Sequence, residues 1–180
     1  VPAKDLTLTI LHNNDVHARI EPTMVKGEPF GGYARTSTLV SQTRKKEKNV
    51  LFLNAGDVFQ GTLYFTQYVG LADGALMNYM GVDAMALGNH EFDLGPAPLG
   101  EFIKRVQFPV LAANLGLDQE PALKNTVKPY TILERDKTKI GVIGIITPDT
   151  PNISGPGPTV KFLDPLASTM KAVGELEAAG

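Results

Sequence analysis

Short apolar runs alternating with helix-patterned stretches predict a layered α/β fold for this 180-residue chain. Two observations carry the prediction. Val50-Leu51-Phe52-Leu53, Asp83 to Leu87 and Val110-Leu111-Ala112-Ala113 are short, largely apolar segments, the pattern of strands covered on both faces. The stretches between them have helical length and end at Gly or Pro.

The elements follow in order. Leu6 to Leu11 alternates Leu and Ile with Thr, as a strand with one buried face does. Gly32 to Lys48 places Leu39, Val40 and Thr43 at helical spacing and ends in basic residues, which suit a helix C-terminus. The run Arg44-Lys45-Lys46-Glu47-Lys48 therefore reads as a solvated helix end. Tyr64 to Met80 reads as one helix stopping before Gly81. Leu99 to Val106 reads as a helix closed by Pro109. Tyr130 to Glu134 and Lys139 to Ile146 read as a hairpin joined by Arg135-Asp136-Lys137-Thr138, and Ile153 to Pro158 as a Gly/Pro loop. Asp164-Pro165 opens a last helix with an N-cap and a proline at its first position. That helix ends in Gly180, where a layered fold leads one to expect a further strand.

Composition narrows the function classes. A formal net charge of -2 argues against nonspecific binding of a nucleic-acid polymer. With no cysteine, any metal must be held by oxygen and imidazole ligands. No apolar run approaches the roughly 20 residues a membrane-spanning helix needs. The start Val1-Pro2-Ala3, without Met, fits a removed signal peptide and an engineered start equally well.

Three strand ends carry polar residues that folding does not require: Asn13-Asn14-Asp15-Val16-His17, Asn54-Ala55-Gly56-Asp57, and Gly88-Asn89-His90-Glu91-Phe92-Asp93. Ligands of α/β sheets bind outside the carboxyl ends of strands, so the three should converge on one crevice. If the chain stays extended, Asp15 and His17 leave the same face and grip one ion. Carboxylate plus imidazole suits zinc, manganese or iron. Gly56 permits a sharp turn that delivers Asp57, whose two oxygens can bridge ions, and Gly88 permits another before the amide of Asn89.

Asp15-Val16-His17, Gly56-Asp57 and Gly88-Asn89-His90-Glu91 resemble the first three motifs of the calcineurin-like metallophosphoesterases. The longer strings Ile10 to His17, Phe30-Gly31-Gly32-Tyr33-Ala34-Arg35 and Gly88 to Gly95 are similar to the branch of 5'-nucleotidases and 2',3'-cyclic phosphodiesterases. The resemblance implies mixed sheets flanked by helices and two divalent ions of unknown identity. Asp15 and His17 would hold one ion, Asp57 would bridge both, and Asn89 would hold the second. His90 would be the catalytic histidine, oriented and kept protonated by Asp93. The substrate would be a nucleotide or another phosphate ester, and the protein would be exported. Glu91 is read as orienting backbone at its turn, and His12 as core or supporting the metal ligands. Phe30 to Arg35 reads as a Gly-rich turn into a helix, without a phosphate role for Arg35.

The family completes its metal centre with later histidine motifs, whereas the histidines here are His12, His17 and His90. Residues 1–180 are thus expected to be the N-terminal part of the domain, with the later motifs and a nucleotide-binding domain absent. The second metal site would be incomplete, the crevice open with apolar surface exposed, and the chain alone weakly active. Two alternatives stay open: a related two-metal hydrolase such as a thiosulfohydrolase, and a non-enzymatic module of the same fold. A dinucleotide site at Gly141-Val142-Ile143-Gly144 is disfavoured, because the segment lies inside a strand.

Overall fold

The computed structural model describes residues 5–180 and has the layered α/β architecture. Its frame is a four-stranded parallel sheet in the order β1 (Thr9–Asn13), β4 (Val50–Asn54), β5 (Ala84–Ala86), β6 (Val110–Leu111). Two hairpins stand outside it. One is β2 (Thr23–Val25) with β3 (Glu28–Phe30); the other is β8 (Tyr130–Arg135) with β9 (Thr138–Ile143). A short antiparallel pair, β7 (Leu115–Gly116) with β10 (Lys161–Phe162), lies later in the chain. The helices are α1 (Tyr33–Lys46), α2 (Leu63–Tyr68), α3 (Leu71–Met80), α4 (Pro96–Ile103), α5 (Thr150–Ile153) and α6 (Pro165–Ala178). None of the described helices is long and apolar enough to cross a membrane.

β4 is a central strand: Val50, Leu51 and Phe52 of its apolar run are buried, Leu53 is only half-buried, and the polar Asn54 that follows is buried. β1 is an edge strand and alternates instead. The side chains of Ile10 and His12 leave through the open face, so His12 is exposed and belongs neither to the core nor to the metal ligands' support. α1 turns Tyr33, Val40 and Arg44 inward; Leu39, expected on the inner face, is 58% exposed because it lies about 100° around the helix from Val40.

The stretch read as one helix over Tyr64 to Met80 is two. Val69 and Gly70 both adopt left-handed backbone, φ 49° and 80°, and a side chain at Gly70 would strike the ring of Phe59. The break seats Phe59 against Phe65 and Phe102 in the core. The helix expected over Leu99 to Val106 starts earlier, with Pro96 in its first turn, and ends at Ile103. Asp164 caps α6 by accepting the Ala167 N–H at 2.7 Å. Asp136 and Lys137 make the tight β8–β9 turn with φ of 47° and 64°.

Arg44 departs from the solvated helix end predicted for its run. Its guanidinium donates to the Met80 and Gly81 carbonyls and meets Asp83 Oδ2 at 3.2 Å. Asp83 also accepts the Phe52 N–H at 2.8 Å and Arg135 Nη2 at 2.5 Å, while Arg135 Nε donates to the Val50 carbonyl. One carboxylate thus joins α1, β4 and the β8–β9 hairpin at the end of the sheet where β5 begins.

Between α1 and α3, Tyr33 donates its hydroxyl to Asp73 Oδ1 at 2.9 Å, and Asp73 Oδ2 is buried with no hydrogen-bond partner among the described residues. Burial pushes the Asp73 carboxyl up to about 6, against the lowering effect of the Tyr33 hydrogen bond. The folded state therefore holds this proton more tightly than the unfolded chain does. Asp73 costs stability progressively as pH rises from its ordinary value of 3.8 through about 6. Asp73→Asn is expected to raise unfolding free energy by on the order of 1–3 kcal/mol at pH 8 and to change it little near pH 4. Urea unfolding of both proteins across that range checks this; a pH-independent difference would contradict it.

Candidate metal centre

The loops that leave β1 and β4 are laced to each other before they reach any side chain of chemical interest. Asp15 N–H donates to the Gly56 carbonyl at 3.0 Å, His17 N–H to that of Asp57 at 3.0 Å, and Ala18 N–H to that of Val58 at 2.9 Å. Asn54 Oδ1 accepts the Gly56 N–H, while its amide donates to Asn13 Oδ1. The turn at Gly56 is left-handed (φ 89°), and a Cβ there would stand 2.3 Å from the Gly88 nitrogen. Gly88 is required for a related reason. Its φ is ordinary, but a Cβ would meet Asp57 Oδ1 at 2.2 Å, so close approach rather than a tight turn demands glycine.

The third loop enters through a 3-10 turn over His90–Phe92. Glu91 within it is fully buried and accepts four backbone N–H groups. Its Oε2 takes those of Gly88 (2.7 Å) and Asp57 (3.0 Å), and its Oε1 those of Val58 (2.8 Å) and Phe59 (3.2 Å). Burial pushes its carboxyl up, and the N–H groups pull the other way. Glu91 thus orients backbone, and it does so for two loops rather than one turn. A further bond runs from His90 N–H to Asp57 Oδ1 at 3.0 Å.

This lacing gathers the polar side chains. Ligand atoms of His17, Asp57 and His90 all lie within 4.8 Å of one another. Asp15 and His17 do not sit on an extended strand as expected: both are left-handed, φ 52° and 46°. The turn nonetheless brings Asp15 Oδ1 to 3.8 Å from His17 Nε2. Asn89 sits half-buried where the 3-10 turn begins, between Gly88 and His90. Asp93 closes the turn and meets His90 Nδ1 at 2.7 Å. The His17 and His90 rings stand edge to face, centroids 4.9 Å apart.

The residues fit a divalent cation. The Phe59 carbonyl lies 3.1 Å from His17 Nδ1, which fixes the proton there and leaves the Nε2 lone pair toward Asp15. Among the described residues, neither Asp15 nor Asp57 has a Lys or Arg partner. Imidazole and carboxylate side chains are the donors zinc, manganese or iron takes. Burial disfavours a charged His90, yet the hydrogen bond and charge of Asp93, with the charges of Asp57 and Glu91, outweigh it and raise the imidazole's affinity for a proton. Burial likewise works against charge on Asp93, but hydrogen bonds from His90, Ser154 and Gln60 hold its carboxyl below the usual range. Arg35 points away from this site, its guanidinium hydrogen-bonded to the Pro29 carbonyl in the β2–β3 hairpin. Sequence reasoning missed Ser154 and Gln60; neither lies in a strand-end motif.

Glu91→Gln would set an amide N–H2 against two backbone N–H groups. The expected cost is roughly 2–4 kcal/mol, from buried donors left unpaired. Thermal unfolding checks it, and an unchanged midpoint would contradict the cradle.

A family model for calcineurin-like phosphoesterases matches residues 8–161. The 5'-nucleotidase of Diplobatis ommata is 44% identical over 99% of this chain and 32% of its own length. The chain thus spans about a third of the length of the curated relatives it matches. Among solved structures, a 5'-nucleotidase precursor from Thermus thermophilus superposes with a TM-score of 0.93 at 52% identity, over 96% of this chain and 35% of that one. The NAD nucleotidase of Haemophilus influenzae gives 0.88 at 40% identity, over 96% and 36%. With its three strand-end loops gathered as described, the chain belongs to the calcineurin-like phosphoesterase family.

Proposed function

We propose that this chain is the N-terminal, metal-binding part of an exported hydrolase that cleaves phosphate monoesters of nucleotides, with 2',3'-cyclic phosphodiesterase activity beside it. The observation that carries the reading is the convergence of His17, Asp57 and His90 within 4.8 Å, with His90 held by Asp93. Relatives at 40–44% identity that bear the name 5'-nucleotidase support the nucleotide over other phosphate esters and over a thiosulfate-type substrate.

In this reading Asp15 and His17 would hold one divalent ion, Asp57 would be shared, and Asn89 would serve the second; when bound, such ions would supply neutralisation of phosphoryl oxygens and a lowered pKa of a bound water. The chain's own groups do the rest. Asp57 has its Oδ1 held by the His90 N–H at 3.0 Å, which ties the carboxylate to the loop that carries the histidine. His90, with Nδ1 held by Asp93, keeps Nε2 available to donate a proton to the departing ester oxygen or to stabilise charge on the phosphate. Asp57 and Asn89 are too few ligands for the second ion, so residues outside this chain complete it, and the 180 residues alone turn over little.

The protein in its full encoded length should hydrolyse nucleoside 5'-monophosphates in the presence of Zn²⁺ or Mn²⁺ and lose that activity to EDTA. Asp57→Asn should lower kcat/KM by about 10²-fold or more, roughly 3 kcal/mol of transition-state stabilisation. A panel of nucleoside monophosphates, 2',3'-cyclic nucleotides and thiosulfate conjugates decides the substrate. Faster turnover of the last group would replace this reading. Isothermal titration of Zn²⁺ into residues 1–180 should show weak binding that His17→Ala removes.

A further inference from the structure

The His90–Asp93 pair uses one carboxylate oxygen, Oδ2. The other, Oδ1, accepts the Ser154 hydroxyl at 2.7 Å, from a residue 61 positions further along the chain, and the Gln60 side chain also hydrogen-bonds to this carboxylate. Ser154 is the residue at which α5 stops. Its backbone is extended there (φ -154°, ψ -171°), and its N–H donates to the Thr150 carbonyl at 2.9 Å. Thr150, at the head of the same helical turn, is fully buried and hydrogen-bonded to the Thr147 carbonyl. The hydroxyl is therefore presented by a helical turn anchored at its buried first residue, Thr150. The following residue, Gly155, lies flush against the 92–93 backbone: a Cβ there would meet the Phe92 and Asp93 carbonyl oxygens at 3.4 and 3.7 Å.

A carboxylate hydrogen-bonded through one oxygen can still turn about its χ2, which is a soft torsion. Anchoring the second oxygen fixes the plane, and with it the ring of the histidine that the first oxygen holds. Asp93 is only 11% exposed, so water does not readily take the place of the hydroxyl.

We infer that Ser154 is a positioning residue: its hydroxyl, through Asp93, sets the orientation of the His90 ring toward Asp57 and His17. This deepens the reading given above and rests on it, since a role for the ring in turnover is part of that reading. Its hydroxyl is spent on Asp93, and its effect on the ring runs through that carboxylate.

The test uses the protein in its full encoded length and two readouts. In metal-free protein labelled with ¹⁵N-histidine, the Nδ1–H of His90, assigned by its loss in His90→Asn, should be a slowly exchanging, downfield NMR signal. Ser154→Ala should shift or broaden that signal and lower kcat on a nucleoside monophosphate by roughly 10-fold with KM within about 2-fold, the scale of outer-sphere partners. Ser154→Thr, which keeps the hydroxyl on an extended backbone, should restore both to within about 3-fold in kcat. Ser154→Ala leaving either the signal or kcat as in the parent would overturn the inference, as would Ser154→Thr failing to restore them while unfolding at the parent's temperature. Failure of the underlying reading looks different: Asp93→Asn would then remove the NMR signal without lowering kcat.

Discussion

Everything at the front of this molecule depends on one buried carboxylate. Glu91 collects the N–H groups of residues 57, 58, 59 and 88, and so converts two independent loops into one body. A loop at the end of a strand has few internal hydrogen bonds and is otherwise drawn from the least stable part of a fold. Here its amides are spent on a side chain that water cannot reach. The short distances among His17, Asp57 and His90 follow from that, because Asp57 and His90 are neighbours of the amides so held. Ligand spacing thus follows from how side-chain carboxylates hold the backbone on either side of the ligands.

Glycine completes the arrangement by subtraction. Gly56 and Gly88 let two backbones and one carboxylate share a space in which no Cβ fits. The cost is the flexibility glycine brings to the unfolded chain. The Glu91 bonds offset it with charge-assisted hydrogen bonding.

Much of this was legible in the sequence, and the reasons differ by residue. Asp57 and His90 stand out because polar residues directly after a buried apolar run have no folding purpose, and the parallel order β1, β4, β5 sends their ends to one side. The Asp15–His17 pairing was legible but its geometry was not, because no periodicity announces two left-handed residues so close together. The break at Val69 and Gly70 was hidden by apolar residues continuing on both sides; the close approach of the Phe59 ring, which leaves no room for a Cβ at Gly70, is a tertiary contact that no local pattern announces. Arg44 looked like one more solvated cation, and only the fold brings Asp83 to it. Ser154 and Gln60 carry no local signal at all, since a small polar residue in a loop is ordinary.

The Asp83 carboxylate, shared between Arg44 and Arg135, has a bearing on the opposite end of the sheet. It clamps one helix, one strand and one hairpin together behind the strands whose far ends bear the ligand loops. With Asp83 binding the rear and Glu91 the front, β4 and β5 are tied at both ends, so the strand pair that carries two of the ligand loops is held by hydrogen bonds at its origin as well as at its tip.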